Sequence, residues 1–357
     1  MKINKLNVIF PLVFLLMSCT PKEMKKTEVS LANDLVMRFW DNYEPGSSEM
    51  YTPSVSDNCY PEPFVLKFDK KDGVLKRVVN LSLKEDMSDA EAYTSTKSTT
   101  SIDNLFSNTS YFMRVDEYDG DNNVIEGEVE QLITLDYPRT FKIPGVSNVR
   151  DIGGRIGSGG KKIAQGKIYR GAHLNDVTEE SKSFMIDKLH INLDLDLRAT
   201  GEGGAGTVSP LGEVKYQNIP GVYYVEGSSG IKNQYNLETI RNEIKVFADP
   251  SNYPIYMHCA IGRDRTGTLA IILQSLLGVD AETILKDYEL SFFSKICNVD
   301  GFSPANASSA ASSIMAYITM NFSDEEMTLE GSTRNWLTKE VGVSEEEIEA
   351  IRNIMLL

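Results

Sequence analysis

The fold of the second half of this chain is decided by the stretch Pro254-Ile255-Tyr256-Met257-His258-Cys259-Ala260-Ile261-Gly262-Arg263-Asp264-Arg265-Thr266-Gly267. Residues 254–258 predict a buried strand, and residues 266–277 predict an apolar helix that ends at Gly278. The intervening loop, residues 259–265, then lies at a helix N-terminus. Because free backbone N–H groups and the helix dipole favour anions there, the order of elements predicts an anion-binding loop.

The residue types in this loop fit a nucleophile held beside a phosphoryl group. Gly262 permits a tight backbone turn, and Gly267 permits close approach early in the helix. The planar guanidinium of Arg265 can bind two phosphoryl oxygens, which a lysine cannot do. The same donors favour the reactive thiolate at Cys259, toward which Thr266 can donate its hydroxyl. We therefore expect a cysteine-dependent phosphatase; a rhodanese-like sulfurtransferase and a buried structural cysteine are the alternatives.

The group that protonates the leaving oxygen is less sharply marked. It must be a carboxylic acid near that oxygen, and it then activates the attacking water. Asp264, inside the loop, is the first candidate, and Asp196, at the end of the strand predicted over residues 191–197, is the second. A residue of a mobile loop is a third possibility, with Glu202 and Asp151 as remote candidates.

Several of these side chains have structural interpretations as well. Asp196 can simply pair with Arg198 or Arg150. His258 is expected to orient the loop backbone or support the thiolate rather than act as a base. His173 is expected to be an ordinary surface or packing histidine.

Composition excludes some classes of function. The chain has 357 residues, which suggests two domains, and its formal net charge is −15 with no long basic run. Nonspecific nucleic-acid binding is not expected, because phosphate neutralisation needs clustered Lys and Arg. The three His and four Cys form no Cys-x-x-Cys or His-Glu-x-x-His pattern, so we expect no metal and no cofactor.

Residues 1–19 read as a targeting segment. Lys2 and Lys5 precede an apolar stretch too short to span a bilayer, and the stretch ends in Leu16-Met17-Ser18-Cys19. This ending resembles the lipobox of bacterial lipoproteins. The resemblance implies acylation of Cys19 and a lipid-anchored protein of the bacterial cell envelope, periplasmic or on the surface face of the outer membrane. A plain secretory signal is the alternative.

Residues 20–50 are expected to form a polar tether and a helix, with one apolar helix face over residues 29–43. Of the cysteines that follow Cys19, Cys259 must stay reduced to act, so any disulfide would join Cys59 to Cys297. We expect none, since those two fall in different predicted domains.

Residues 51–137 alternate between apolar and polar side chains. Strands are predicted over 65–68, 77–83, 111–115 and 129–135, with turns at Asp72-Gly73 and Asp119-Gly120, which indicates a small all-β sandwich domain. Residues 104–115 resemble the segment of fibronectin type III modules in which a corner tyrosine, here Tyr111, precedes a strand. The segment lacks a clear early tryptophan, so another sandwich remains an alternative.

Residues 138–357 alternate strands and helices, and they resemble the bacterial protein tyrosine phosphatases whose loop reads His-Cys-x-x-Gly-Lys-Asp-Arg-Thr-Gly. Residues 148–154, 166–174 and 196–198 resemble three further motifs of that family. The resemblance implies an α/β fold, a parallel-sheet cysteine phosphatase domain. It implies catalysis by Cys259 and Arg265, with Asp264 or Asp196 as the acid. The residues expected to bind substrate are His258, Ala260, Ile261, Gly262, Arg263, Thr266 and Gly267.

The chain departs from that family at two positions. Arg263 replaces a lysine, and Gly171 replaces a serine, which suggests that position 171 is not needed for chemistry. The expected substrate is a phosphoprotein, phosphotyrosine first and other phosphorylated residues second, or a phosphorylated small molecule. A phosphoinositide or inositol-polyphosphate phosphatase is an alternative, with Arg263, Lys161 and Lys162 as additional cations. A surface-binding lipoprotein with little or no catalysis is the other.

Overall fold

The computed structural model describes most of the chain after the predicted targeting segment. The described residues are 24–52, 57, 60–221, 227–298 and 301–357. Cys19 and Cys59, on which the predicted lipidation and disulfide depend, lie outside them. None of the helices in these ranges combines the length and the apolar character that crossing a membrane requires.

The first part of the chain forms two β-sheets. The strands are β1 (Lys26–Val29), β2 (Phe64–Lys67), β3 (Lys76–Ser82), β4 (Glu91–Ser95), β5 (Thr99–Ile102), β6 (Thr109–Tyr118), β7 (Val124–Ile125) and β8 (Glu130–Thr134). The larger sheet has the order β1-β8-β6-β3-β4, with β7 paired to β6, and β2 pairs with β5 in the smaller one. The four strands predicted from alternation are confirmed as β2, β3, β6 and β8.

Both sheets contribute to one apolar core. Alternate residues point inward because side chains of a strand project to opposite faces. The core includes Phe64 and Ile102 from the smaller sheet, and Val79, Leu81, Tyr111, Met113 and Leu132 from the larger. The hydroxyl of Tyr111 accepts a hydrogen bond from the backbone N–H of Phe106 at 2.7 Å, which fixes the start of β6 against the chain before it.

The segment that precedes these sheets is more ordered than a tether. Lys26–Val29 pairs in parallel with β8, so a strand replaces the end of the predicted tether and the first residue of the predicted helix. A strand there covers the edge of β8, whose backbone groups would otherwise be unpaired. The helix predicted over 29–43 is shorter. It is α1 (Asp34–Asp41), and it begins where the Asn33 side chain accepts the N–H groups of the first turn.

The second part of the chain is an α/β domain. Its strands are β9 (Arg150–Asp151), β10 (Ile168–Gly171), β11 (Leu193–Asp196), β12 (Lys215–Asn218) and β13 (Ile255–His258). The sheet has the order β12-β11-β13-β10-β9. The parallel sheet is confirmed for β10 to β13, but β9 runs antiparallel to β10 at the edge.

Two of the helices lie in residues 31–51, and the others belong to the α/β domain. After α1 come α2 (Ser48–Tyr51), α3 (Glu179–Ser183), α4 (Gln234–Ala248), α5 (Arg265–Leu276), α6 (Ala281–Glu289), α7 (Pro304–Asn321), α8 (Leu329–Trp336) and α9 (Glu345–Met355). The helices predicted over 236–248 and 266–277 are confirmed as α4 and α5. Every residue of α5 is buried, and the helix stops at Gly278, whose φ of +77° suits a glycine.

The arrangement of strands places one edge of the sheet at the start of α5. β13 lies between β10 and β11, and all three are parallel. Their carboxyl ends therefore meet where residues 259–265 connect β13 to α5. Ligands in open parallel sheets bind at this edge, so it is the part of the fold to search for a site.

Candidate active site

Residues 259–265, hereafter the cysteine loop, connect β13 to α5. Cys259 is 1% exposed, and the N–H of Gly262 donates to its Sγ at 3.3 Å. Gly262 has φ +74°, and a Cβ there would lie 2.3 Å from the carbonyl oxygen of Gly171. Glycine is thus required on two grounds, and the predicted tight turn is confirmed.

The carbonyl oxygens of three successive loop residues are tied to elements outside the loop. The donors are Asn148 Nδ2 to Ile261 at 3.1 Å, Arg170 Nη2 to Gly262 at 2.9 Å, and the N–H of His173 to Ala260 at 3.3 Å. A peptide's C=O and N–H point in opposite directions. Tying the carbonyls outward therefore leaves the loop N–H groups directed inward, as an anion site requires.

Behind the loop, a buried carboxylate holds two buried arginines. Asp287 of α6 accepts Arg150 Nε at 2.7 Å and Arg170 Nη1 at 2.6 Å. Burial alone raises the pKa of Asp287, but the two guanidinium groups lower it to about 2. The motifs at 148–154 and 166–174 thus support the loop rather than contact its interior. Sequence reasoning missed Asp287 because nothing near it in the chain signals its partners.

Arg265 is the first residue of α5, and its guanidinium group binds a carboxylate. Nη1 and Nη2 lie 2.6 and 2.5 Å from the two oxygens of Glu202, and Nη1 also reaches the Leu197 carbonyl at 3.3 Å. The hydrogen bond from Arg265 lowers the pKa of Glu202. Glu202 is consequently held as an anion that orients Arg265, and the remote prediction of Glu202 as the acid is not supported by this geometry.

Asp196 has the structural role that was the alternative to acid catalysis. It accepts Arg198 Nη2 at 2.7 Å, the Arg198 N–H at 2.9 Å and the Tyr216 hydroxyl at 3.1 Å, and it is fully buried. Burial raises the pKa of Asp196, but its bonds to Arg198 prevail and lower it. Arg198, and not Arg150, is the partner. A carboxyl group kept ionised in this way is poorly suited to donate a proton.

Asp151 is also tied into the scaffold. It pairs with buried Arg139 at 2.8 Å and accepts the N–H groups of Gly153 and Gly166 at 2.8 and 2.6 Å. It closes the turn that follows β9. The geometry therefore gives this candidate a structural role.

Asp264 and Arg263 face each other across one ion pair. Arg263 Nε lies 2.8 Å from Asp264 Oδ1, and Arg263 Nη1 donates to the Cys297 carbonyl at 2.5 Å. The guanidinium also lies over the rings of Phe302 and Phe292, at 4.7 and 5.3 Å. Arg263 thus contributes to the wall of the site, and its binding of substrate stays a prediction. Asp264 is paired with an arginine, as Asp196 and Glu202 are, and it stays the first acid candidate because of the three only Asp264 lies within the loop itself.

His258 is buried behind the loop. Nε2 lies 2.9 Å from Asp194 Oδ1 and Nδ1 lies 3.1 Å from the Cys259 carbonyl, so both ring nitrogens are occupied. Burial lowers the pKa of His258, but the charge of Asp194 prevails and raises it. The ring orients the loop backbone, as one alternative held, and does not line the substrate side. Asp194 was missed, although it and Asp196 alternate along one otherwise apolar strand and so share a face.

Three small residues near the loop are explained by packing. The Thr266 hydroxyl is buried and makes no hydrogen bond within the described residues, so the expected donation to Sγ is absent there. A Cβ on Gly267 would lie 2.4 Å from the Tyr288 ring. A Cβ on Gly171 would lie 2.2 Å from the Tyr256 hydroxyl. The hydroxyl of Tyr256 therefore leaves no room for a side chain at position 171. This explains why glycine stands there in place of the serine of the family, which the sequence alone did not explain.

Two further predictions concern the surroundings of the loop, and the one about the lysines is corrected. The half-buried ring of His173 agrees with the predicted packing histidine, with a pKa lowered by burial and by Arg198, and the sequence did not reveal that its backbone N–H supports the loop. Lys161 and Lys162 follow a turn whose Ser158 N–H bonds the Leu277 carbonyl, at the far end of α5. A twelve-residue helix is about 18 Å long, so these lysines are remote from the loop.

Across the described ranges, His, Cys, Asp and Glu side chains form no group of three that could hold a metal ion. Cys297 is a free thiol whose Sγ donates to the Ile261 carbonyl at 3.2 Å, so it too belongs to the support of the cysteine loop.

Comparison with known proteins identifies relatives of the α/β domain. A putative tyrosine-protein phosphatase of Cupriavidus necator is 25% identical over 166 residues, covering 40% of this chain and 59% of the relative. A probable tyrosine-protein phosphatase of Dictyostelium discoideum is 31% identical over 64 residues, covering 18% of this chain and 39% of the relative. The matches thus span less than two thirds of these relatives.

Among solved structures, the core catalytic domain of the PP-IP phosphatase Siw14 from S. cerevisiae, in complex with citrate, is 16% identical with a TM-score of 0.32. The match covers 55% of this chain and 98% of that one. The family model described as "Tyrosine phosphatase family" matches residues 141–357, which include the cysteine loop, the motifs that support it and the helices behind them. The chain therefore belongs to the tyrosine phosphatase family.

Proposed function

We propose that the chain hydrolyses phosphate monoesters of proteins, phosphotyrosine first and other phosphorylated residues second, through a cysteinyl-phosphate intermediate. The observation that carries the proposal is the position of Cys259 Sγ at the N-terminus of α5, with the Gly262 N–H directed at it. That position suits both an anion and a thiolate.

In this mechanism the thiolate of Cys259 attacks phosphorus, an S–P bond forms and the P–O bond to the leaving group breaks. The loop N–H groups and Arg265 stabilise the equatorial oxygens. Asp264 donates a proton to the leaving oxygen and then takes one from water, which attacks phosphorus and releases the thiolate. Glu202 contributes by fixing the plane of the Arg265 guanidinium.

The charges around the loop support a substrate with a single phosphate. Three arginines near the loop are each paired with a carboxylate: Arg263 with Asp264, Arg198 with Asp196, and Arg265 with Glu202. A polyphosphate needs several additional cations to offset its charge, and Lys161 and Lys162 lie too far away to contribute. The inositol-polyphosphate alternative therefore has less support than a phosphoprotein.

The test is a side-by-side assay of the purified protein on a phosphotyrosine peptide, a phosphoserine peptide, a phosphoinositide and inositol hexakisphosphate. We expect the highest kcat/KM on the phosphotyrosine peptide. Cys259→Ser should abolish turnover while retaining vanadate binding, because the loop N–H groups and Arg265 remain. Turnover by Cys259→Ser near the native level would refute the nucleophile assignment, and preference for the hexakisphosphate would refute the substrate class.

We further propose that residues 51–137 form a fibronectin type III-like sandwich. The core shared by the two sheets supports this proposal, and so does the bond between Tyr111 and the backbone upstream of it. Circular dichroism and a crystal structure of this region would test it. A strand order other than that of fibronectin type III would refute it.

We also propose that the chain is a lipoprotein of the bacterial cell envelope, anchored through Cys19, and that it binds no nucleic acid. The Leu16-Met17-Ser18-Cys19 sequence and the net charge of −15 support these proposals. Labelling with a radioactive fatty acid should mark the native chain and not Cys19→Ala. Equal labelling of both would refute the anchor.

A further inference from the structure

The N-terminal segment, residues 31–51, lies outside the residues that the family model matches, yet it packs against the α/β domain. We propose that this segment positions the cysteine loop, acting through Glu289, and that Tyr43 and Glu289 are positioning residues for catalysis. The proposal rests on the phosphatase function proposed above.

The connection to the loop is a short stretch that we call the strap, residues 287–297. At its start Asp287 holds Arg150 and Arg170, and Ser291 accepts a further bond from Arg150 at 3.1 Å. At its end Cys297 contacts the loop directly, through Sγ to the Ile261 carbonyl and through its own carbonyl to an arginine of the loop. The strap thus contacts the cysteine loop at its end and, through Arg170, from its start.

On its other side the strap is held by the N-terminal segment. Glu289 is fully buried, and its carboxylate accepts the Tyr43 hydroxyl at 2.7 Å and the N–H groups of Gly46 and Ser48 at 2.7 and 3.4 Å. All three donors belong to the N-terminal segment. A buried carboxylate is strongly unfavourable without such donors, so the segment determines where Glu289 can lie.

Apolar contacts reinforce this attachment. Phe39 and Trp40 of α1 share a cluster with Leu290 and Phe293 of the strap, and the Phe39 and Phe293 rings lie 5.1 Å apart. Burial of each large side chain contributes about 2 kcal/mol. The N-terminal segment is therefore a stable part of the α/β domain and not a mobile tether on its surface.

Glu289 and Asp287 are two residues apart in the last turns of α6. If Glu289 loses a donor, it must move toward water or another donor, and the turn that carries Asp287 moves with it. Asp287 fixes Arg170, and Arg170 fixes the carbonyl group of Gly262. The N–H of the same glycine faces Cys259. Shifts of well under 1 Å at a reacting group lower the rate severalfold, so a small displacement here reaches the chemistry.

The test compares two matched variants of the full chain. Tyr43→Phe removes the hydroxyl that binds Glu289. Tyr137→Phe removes a hydroxyl that lies 3.0 Å from Asp41, at the end of α1, and that donates to this carboxylate rather than to the strap. Each deletes one bond between a tyrosine and a carboxylate of similar length. Glu289→Gln, which keeps the shape of the side chain, serves as the second test of the same contact.

We expect Tyr43→Phe and Glu289→Gln to lower kcat roughly tenfold and to weaken vanadate binding several-fold, with KM changed less than twofold. Melting temperatures should show that the variants are folded under assay conditions. Tyr137→Phe should keep kcat within about twofold of native. Vanadate affinity separates positioning from a general loss of folded protein, because such a loss lowers the apparent kcat without altering vanadate affinity per folded molecule.

Folded Tyr43→Phe and Glu289→Gln with native kcat and native vanadate affinity would overturn the positioning role, and so would an equal loss in Tyr137→Phe. A native protein that hydrolyses no phosphate monoester would instead refute the proposed function. In that case the vanadate measurement still decides whether the N-terminal segment positions the loop.

Discussion

Replacing Asp287 by Asn tests the support of the cysteine loop most directly. The substitution keeps the shape of the side chain and removes the negative charge that Arg150 and Arg170 share. Both arginines are buried, at 1% and 0% exposure, so neither can recover its hydration without rearrangement. We expect Asp287→Asn to be destabilising and to have little activity.

The magnitude follows from two independent considerations. Removing one partner of a buried ion pair costs about 3–5 kcal/mol. The pKa of Asp287 falls from its ordinary 3.8 to about 2 on folding. This fall corresponds to between about 2 and 3 kcal/mol of preference for the charged form, which is the lower of the two figures. The expected loss in the free energy of unfolding is therefore about 2–5 kcal/mol.

The dependence on pH has a definite sign. Because folding lowers the pKa of Asp287, its stabilising contribution is fully present above about pH 4 and is lost as the pH falls toward 2. Urea unfolding should show the full difference between native protein and Asp287→Asn at pH 7. At pH 3 that difference should be smaller by about 1 kcal/mol.

Glu179→Gln is the matched control for this measurement. Its carboxylate also lies 2.6 Å from a cation, Lys182, but the Glu179 side chain is 90% exposed. A change below about 0.5 kcal/mol is expected there. A loss below 1 kcal/mol in Asp287→Asn at pH 7, or a difference that grows on acidification, would refute the assigned role of Asp287.

Four other substitutions have distinct expected results. Asp264→Asn should depress hydrolysis of a phenyl phosphate by about 10² to 10⁴ and that of an activated aryl phosphate far less. Asp196→Asn should instead lower thermal stability and affect the hydrolysis of both substrates alike. The reverse pattern would make Asp196 the acid. Glu202→Gln should lower kcat equally on both substrates, and a leaving-group dependence would contradict its orienting role. Gly171→Ser should destabilise the fold, with partial recovery on adding Tyr256→Phe in a thermal melt, and no recovery would show that the clash lies elsewhere.

The sequence predicted best those features that depend on residues close together in the chain. The strand, loop and helix around Cys259 follow from one continuous stretch, and the turn at Gly262 follows from the residue itself. The partners that fix this loop are distant along the chain, as the 137 positions between Arg150 and Asp287 illustrate. Nothing in the sequence around either residue indicates the other as its partner. Arg150 could therefore be recognised as part of a motif, but its ion pair with Asp287 could not be predicted.

The errors have physical reasons of the same kind. β1 has only four residues, and none of them is fully buried, so its periodicity is too weak to separate a strand from a tether. Asp196 was given two interpretations because its sequence position at a strand end fits either. The contact with Arg198 two residues later decides between them, and only the backbone geometry of that turn reveals it.

The attachment of residues 25–51 also sets an order of events during synthesis. Lys25 lies 105 positions before its partner Glu130, and Tyr43 lies 246 positions before Glu289. At 5–20 residues per second, the ribosome delivers these partners about 5–20 s and about 12–50 s later. The part of the described chain that is made first is thus among the last to reach its final place, and the strap closes on it only when the cysteine loop has already been translated.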